Sequence, residues 1–176
     1  MSFVRPEEVV KNFGLEPGMA VADFGCGSGH YTIAAAKIVS KNGTVYAIDV
    51  QKELLQAVKS HAEINNLKNI EIIWANLESS EGSHLASGSL DFVIISNILF
   101  QAENRGQIAK EAFRVLKDGG KTAAIEWERS PGKVGPVLEK RISKEEAQQI
   151  FLQEGFKIER EFQPGENHYG LIFMKP

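Results

Sequence analysis

The run Val21-Ala-Asp-Phe-Gly-Cys-Gly-Ser-Gly-His-Tyr-Thr32 opens as a short apolar strand, places glycines at alternate positions (Gly25, Gly27, Gly29) and starts a helix near Ser28 to Tyr31. Glycine is needed where a backbone turns sharply or where a ligand must approach the main chain without a Cβ between them. The first turn of the helix offers unpaired N–H groups to an anion. Together these features predict a turn that binds a small charged cofactor.

Spacing narrows the choice of cofactor. A dinucleotide site has G-x-G-x-x-G, whereas this run is G-x-G-x-G, with an acidic residue, Asp49, twenty positions after Gly29 at the end of Thr44-Val-Tyr-Ala-Ile-Asp49. That pattern fits S-adenosylmethionine (SAM) better than NAD. On the motif Asp23-Phe-Gly-Cys-Gly-Ser-Gly29 the chain resembles the class I SAM-dependent methyltransferases from about Val9 to Lys175. Within them it is most similar to the small stand-alone enzymes grouped with the ubiquinone and menaquinone biosynthesis methyltransferases.

At 176 residues and 43% hydrophobic, the chain is expected to be one SAM-binding domain over 1–176, with residues 1–14 a candidate lid helix. A formal charge of −3 supplies no general attraction to nucleic acid or an anionic membrane, so the expected partner is a small-molecule methyl acceptor. No run approaches the roughly 18 to 20 apolar residues of a membrane span. One cysteine, Cys26, excludes an internal disulfide and fits a cytoplasmic protein. A monomer and a homodimer are both compatible with the sequence.

The periodicities predict helices over about 28–39, 52–65 and 104–116, the last closed by Asp118-Gly119-Gly120 as a left-handed cap. Ser143-Lys-Glu-Glu146 reads as a capping box opening another helix. Strands are expected at 19–24, 44–49, 69–75, 90–96, 121–126, 156–163 and 169–175, and residues 129–142 are expected to be a loop. The third strand is too rich in isoleucine to be exposed on both faces. The four residues Pro164 to Asn167 are too few for a parallel crossover. The expected fold class is therefore α/β: a doubly wound, seven-stranded, mostly parallel sheet with a C-terminal antiparallel hairpin, which the resemblance implies is the Rossmann-like methyltransferase fold.

The resemblance implies roles for residues at the carboxyl ends of the strands. Asp23, Gly25, Cys26, Gly27, Gly29 and Tyr31 would surround the methionine part of SAM. Asp49 would take both ribose hydroxyls, and Val50 would lie along the adenine. Asn76 and Leu77 would meet the adenine edge, with asparagine standing where the family usually has aspartate. Ser96 and Asn97 would lie beside the methyl group. S-adenosylhomocysteine (SAH) would be the product.

Methyl transfer from a sulfonium is an in-line displacement that needs a base only if the acceptor must lose a proton. Asn97, Glu126 and His168 are the candidate catalytic residues, with His30 a further candidate base, and Trp127 and Tyr169 are candidate aromatic walls. The single cysteine argues against arsenite as acceptor, and no H-x-x-x-H, C-x-x-C or carboxylate cluster offers a metal site. Two other readings stand beside the enzyme: a non-catalytic SAM-binding protein and a Rossmann-type NAD-dependent oxidoreductase. Arg129, Lys133, Lys140 and Arg141 are the one local hint of a nucleic-acid face.

Overall fold

Side chains alternate between the two faces of a strand, and here both faces are apolar. Val21, Phe92, Ile94, Ala123 and Ile125 join one cluster, while Ala22, Phe24, Val93, Ile95 and Ala124 join another. These residues belong to β1 (Ala20–Phe24), β4 (Leu90–Ser96) and β5 (Leu116–Trp127). With β2 (Thr44–Asp49), β3 (Ile70–Trp74), β6 (Lys157–Gly165) and β7 (His168–Met174) they form one sheet in the order β3-β2-β1-β4-β5-β7-β6. The computed structural model describes residues 4–129 and 134–176. β7 runs antiparallel to both of its neighbours, and the other pairings are parallel.

Helices cover both faces. α1 (Pro6–Val9) and α2 (His30–Val39) pack on the first cluster, and α4 (Arg105–Val115) and α5 (Lys144–Gln153) on the second. α3 (Lys52–Ile64) sets Leu55 and Val58 against Ala47 of β2. Within the candidate lid, Val9, Val10 and Phe13 are buried, and a 3-10 turn at Val10–Asn12 follows α1.

Several boundaries differ from those read in the sequence. α2 begins at His30 because Gly27 and Gly29 both hold left-handed φ, which delays helical winding past Ser28. The glycines after α4 do not cap it: Leu116 is already extended and pairs with Leu90, and Gly119 turns within β5, donating its N–H to Lys175 O at 2.8 Å. Half of the capping box forms. Ser143 Oγ accepts from Glu146 N at 3.1 Å, but the Glu146 carboxylate pairs with Arg105 (2.7 Å) instead of returning to Ser143.

β3 is an edge strand, with Ile72 39% and Trp74 59% exposed on one face and Glu71 exposed on the other. Leu138–Lys140 forms a 3-10 turn within the expected loop, of which residues 130–133, including Lys133, lie outside the described residues. Arg141 there is buried, donating to Pro136 O, Glu128 O and Val134 O, so it adds nothing to a basic surface.

Candidate functional site

Strand order reverses beside β1, between connections that run outward to β2 and to β4, and in doubly wound sheets ligands bind beyond the strand ends at such a point. A cleft of about 570 Å³ lies there, within the range of about 300–1,000 Å³ for small-molecule sites. Its walls include Asp23, the Gly25 to Ser28 turn, Tyr31, Asp49 to Gln51, Asn76, Leu77, and Ser96 to Ile98.

The glycine turn is coupled to the end of β2. Gly25 N and Cys26 N both donate to Ile48 O (2.8 and 3.0 Å), and Gly27 N donates to Asp49 Oδ2 at 3.0 Å. Asp49 Oδ1 accepts from Gln51 N at 2.9 Å, so each carboxylate oxygen keeps acceptor capacity for a ligand hydroxyl. The three glycines answer to different neighbours. A Cβ on Gly25 would lie 2.4 Å from Ile98 Cγ2, and one on Gly29 2.8 Å from Val58 Cγ2, whereas one on Gly27 would project into open space. The Gly25 and Gly29 positions are required by packing; the Gly27 position leaves room beside the cleft.

Asp23 is buried below the turn and accepts from Thr32 Oγ1 at 2.6 Å. Burial pushes its carboxyl up to about 6, opposed by that hydrogen bond. Burial, aided by Asp23 and Asp49, pushes the Cys26 thiol well above its ordinary range, which removes thiolate chemistry at neutral pH. His61 Nδ1–H donates to Ser28 O at 2.9 Å and braces the turn from α3. The Tyr31 hydroxyl, beside Ser96, and Asn97 Oδ1 are buried without a partner at hydrogen-bonding geometry among the described residues. Asn97 also holds φ +57, a left-handed conformation that asparagine tolerates better than most residues. Asn76 Oδ1 accepts from Glu78 N at 3.0 Å, a local turn that uses part of the acceptor capacity expected for adenine.

The structure thus places Asp23, Gly25, Cys26, Gly27, Tyr31, Asp49, Val50, Asn76, Leu77, Ser96 and Asn97 at one cleft, together with His30. Gly29 sits behind the turn against Val58. Glu126 and His168 are not among the lining residues. His168 is 5% exposed, not a surface turn residue; its ring lies 4.0 Å from that of Trp127, and burial and Arg141 hold its pKa down at about 4. Trp127 is covered by Gly135, and Tyr169 donates to Ile142 O or Ser143 O (3.2 Å each), so neither is a wall of this cleft.

Val4, Pro6, Ile98, Gln101 and Ala102 line the cleft and were not singled out from the sequence for cofactor binding. Gln101 had a legible signal: it stands four residues after Asn97, and its Nε2 donates to Asn97 O at 2.9 Å. Val4 and Pro6 belong to the candidate lid segment, residues 1–14, and reach the cleft through tertiary packing.

A family model described as a methyltransferase domain matches residues 15–161. A demethylmenaquinone methyltransferase of Bacillus mycoides is 31% identical over 120 residues, covering 68% of this chain and 49% of that protein. An arsenite methyltransferase of Aquipseudomonas alcaligenes is 28% identical over 131 residues, 68% of this chain and 38% of that protein. The chain spans about half the length, or less, of these curated relatives. Among solved structures, a SAM-dependent methyltransferase from Aquifex aeolicus superposes with a TM-score of 0.87 at 30% identity, over 96% of this chain and 88% of that one.

Proposed function

Because the chain belongs to the methyltransferase-domain family, we propose that its cleft binds SAM and that the protein transfers the methyl group to a small-molecule acceptor. The observation that carries this reading is the Gly27–Asp49 pair. A backbone N–H at the open glycine holds a carboxylate that keeps acceptor capacity and belongs to the wall of a cleft of cofactor size. When bound, SAM supplies an activated methyl on a sulfonium. The residues present fit it: Asp49 for the ribose hydroxyls, Val50 and Leu77 as apolar walls for the adenine, and the Gly25 to Ser28 backbone for the methionine part.

The protein's contribution is then to bind, orient and exclude water. Ser96 and Asn97 stand at the end of β4, and the orphan Asn97 Oδ1 is an acceptor available to substrate or cofactor. Ile98, Ala102 and Ile108 make that side of the cleft apolar, which favours an uncharged organic acceptor. A buried Cys26 with a raised pKa is unsuited to holding a metalloid, so arsenite is disfavoured. Of the candidate bases His30 is the one on the cleft wall, while Glu126 and His168 stand outside it. This favours an acceptor that reacts without an enzyme carboxylate as base.

Calorimetric titration with SAM and SAH tests the reading. The unaltered protein is expected to bind both, and Asp49→Ala to weaken binding by about 1.5–3 kcal/mol, the scale of lost charged hydrogen bonds. No binding by the unaltered protein overturns it.

A further inference from the structure

We propose that Glu126 is a positioning residue: its buried carboxyl anchors the turn from Ile98 to Phe100 and, through Ile98, fixes the cleft wall that stands against Gly25. The chain leaves β4 at Ser96 and must turn before α4 begins at Arg105, so the intervening backbone has no ladder to satisfy it. Leu99 lies in the middle of that turn and is fully buried. Both of its main-chain polar groups are taken by side chains: its N–H donates to Glu126 Oε1 at 2.7 Å, and its C=O accepts from Arg105 Nε at 2.8 Å. The N–H groups of Ile98 and Phe100 also face the Glu126 carboxyl.

β5 holds the start of the turn as well, since Asn97 N donates to Ile125 O at 2.8 Å, one residue before Glu126. Ile98 is thereby pressed on the glycine turn so closely that a Cβ on Gly25 would meet its Cγ2 at 2.4 Å. The carboxyl touches neither the cleft nor solvent: Oε1 is engaged by Leu99, and Oε2 is buried with no hydrogen-bond partner among the described residues. An apolar residue at 126 would leave the Leu99 N–H buried and unpaired.

The consequence for binding rests on the SAM reading, whereas the anchor itself can be tested in the free protein. Two measurements on the full chain separate them: hydrogen exchange of the Leu99 amide by NMR, and calorimetric titration with SAH. Glu126→Leu is expected to speed Leu99 exchange and to weaken SAH binding, each at least about tenfold. Glu126→Gln keeps an acceptor oxygen and is expected to stay within about threefold in both.

Ile98→Ala leaves the anchor in place and loosens the wall, so it should retain Leu99 protection while losing about tenfold in SAH affinity; it serves also if Glu126→Leu does not fold. Unchanged Leu99 exchange in Glu126→Leu overturns the proposal. So does a glutamine variant as impaired as the leucine one, because an ionisable group would then be required. Wild-type SAH affinity in Ile98→Ala overturns the link from turn to cleft. If the unaltered protein does not bind SAH, the cofactor reading falls, and Leu99 exchange still decides the anchor.

Discussion

A single carboxyl illustrates how burial converts into pH dependence. Burial pushes Glu126 up to about 8, against the opposing pull of the Leu99, Ile98 and Phe100 N–H groups. The folded protein therefore holds a proton that the unfolded chain has lost above its ordinary pKa of 4.5. Stability falls as pH rises from there to about 8 and levels off beyond. Asp23, raised to about 6, acts in the same direction at lower pH, while His168, lowered to about 4, acts in the opposite one as its unfolded form titrates near 6.5.

Between pH 6.5 and 8 Glu126 is thus the shifted carboxyl that remains to titrate. Urea unfolding across this interval is expected to lose up to about 1.4 kcal/mol per pH unit in the unaltered protein and to flatten in Glu126→Gln. Equal slopes would mean that the carboxyl is already ionised. Asp49 and the glycines were legible because their signals are local. The meaning of Glu126 was not, because its partner Leu99 is 27 positions away and is met through a main-chain atom, which leaves no trace in residue type.

The strand-to-helix turn between β1 and α2 separates backbone demand from space. Gly27 and Gly29 both have left-handed φ, so alanine at either costs about 1–2 kcal/mol in the backbone. Only Gly29 adds a steric clash, with Val58 of α3. Gly29→Ala is therefore expected to destabilise by about 3 kcal/mol or more. Gly27→Ala should cost the backbone amount alone yet lower SAH affinity at least about tenfold by placing a methyl toward the ligand. Paired urea and calorimetric measurements on the two variants check this; equal affinity losses at equal stability would refute it.

Where burial was two-sided, as in β4, the strand was legible as a nearly continuous apolar run. Elements were misread where tertiary partners intervene. Gly119 answers to Lys175 of the neighbouring sheet segment and not to the end of α4, and Glu146 reaches Arg105 on another helix in preference to its own N-cap. In β3 the isoleucines imply burial, but the strand's position at the sheet edge exposes Ile72 and Trp74.

Across the molecule, the cleft draws on the ends of β1, β2, β3 and β4 and on Val4 and Pro6 near the start of the chain, so a bound ligand braces segments far apart in sequence. Since only the folded protein presents that arrangement, SAH at about 100 times its Kd is expected to add about 2.7 kcal/mol and raise Tm by about 5–10 °C, as a thermal scan would read. Strand number and the antiparallel hairpin were legible from turn lengths. Which strands become neighbours was not, since non-local pairing leaves no periodic signature.

That pairing also imposes an order on synthesis. Among the described residues β6 has β7 as its sole sheet partner, and β7 lies between it and β5. While a ribosome is still translating residues before His168, β5 presents an open edge and β6 has nowhere to dock. The strands from β3 to β5 can assemble as the chain emerges, but β6 must wait for β7, made after it, to slot between it and β5.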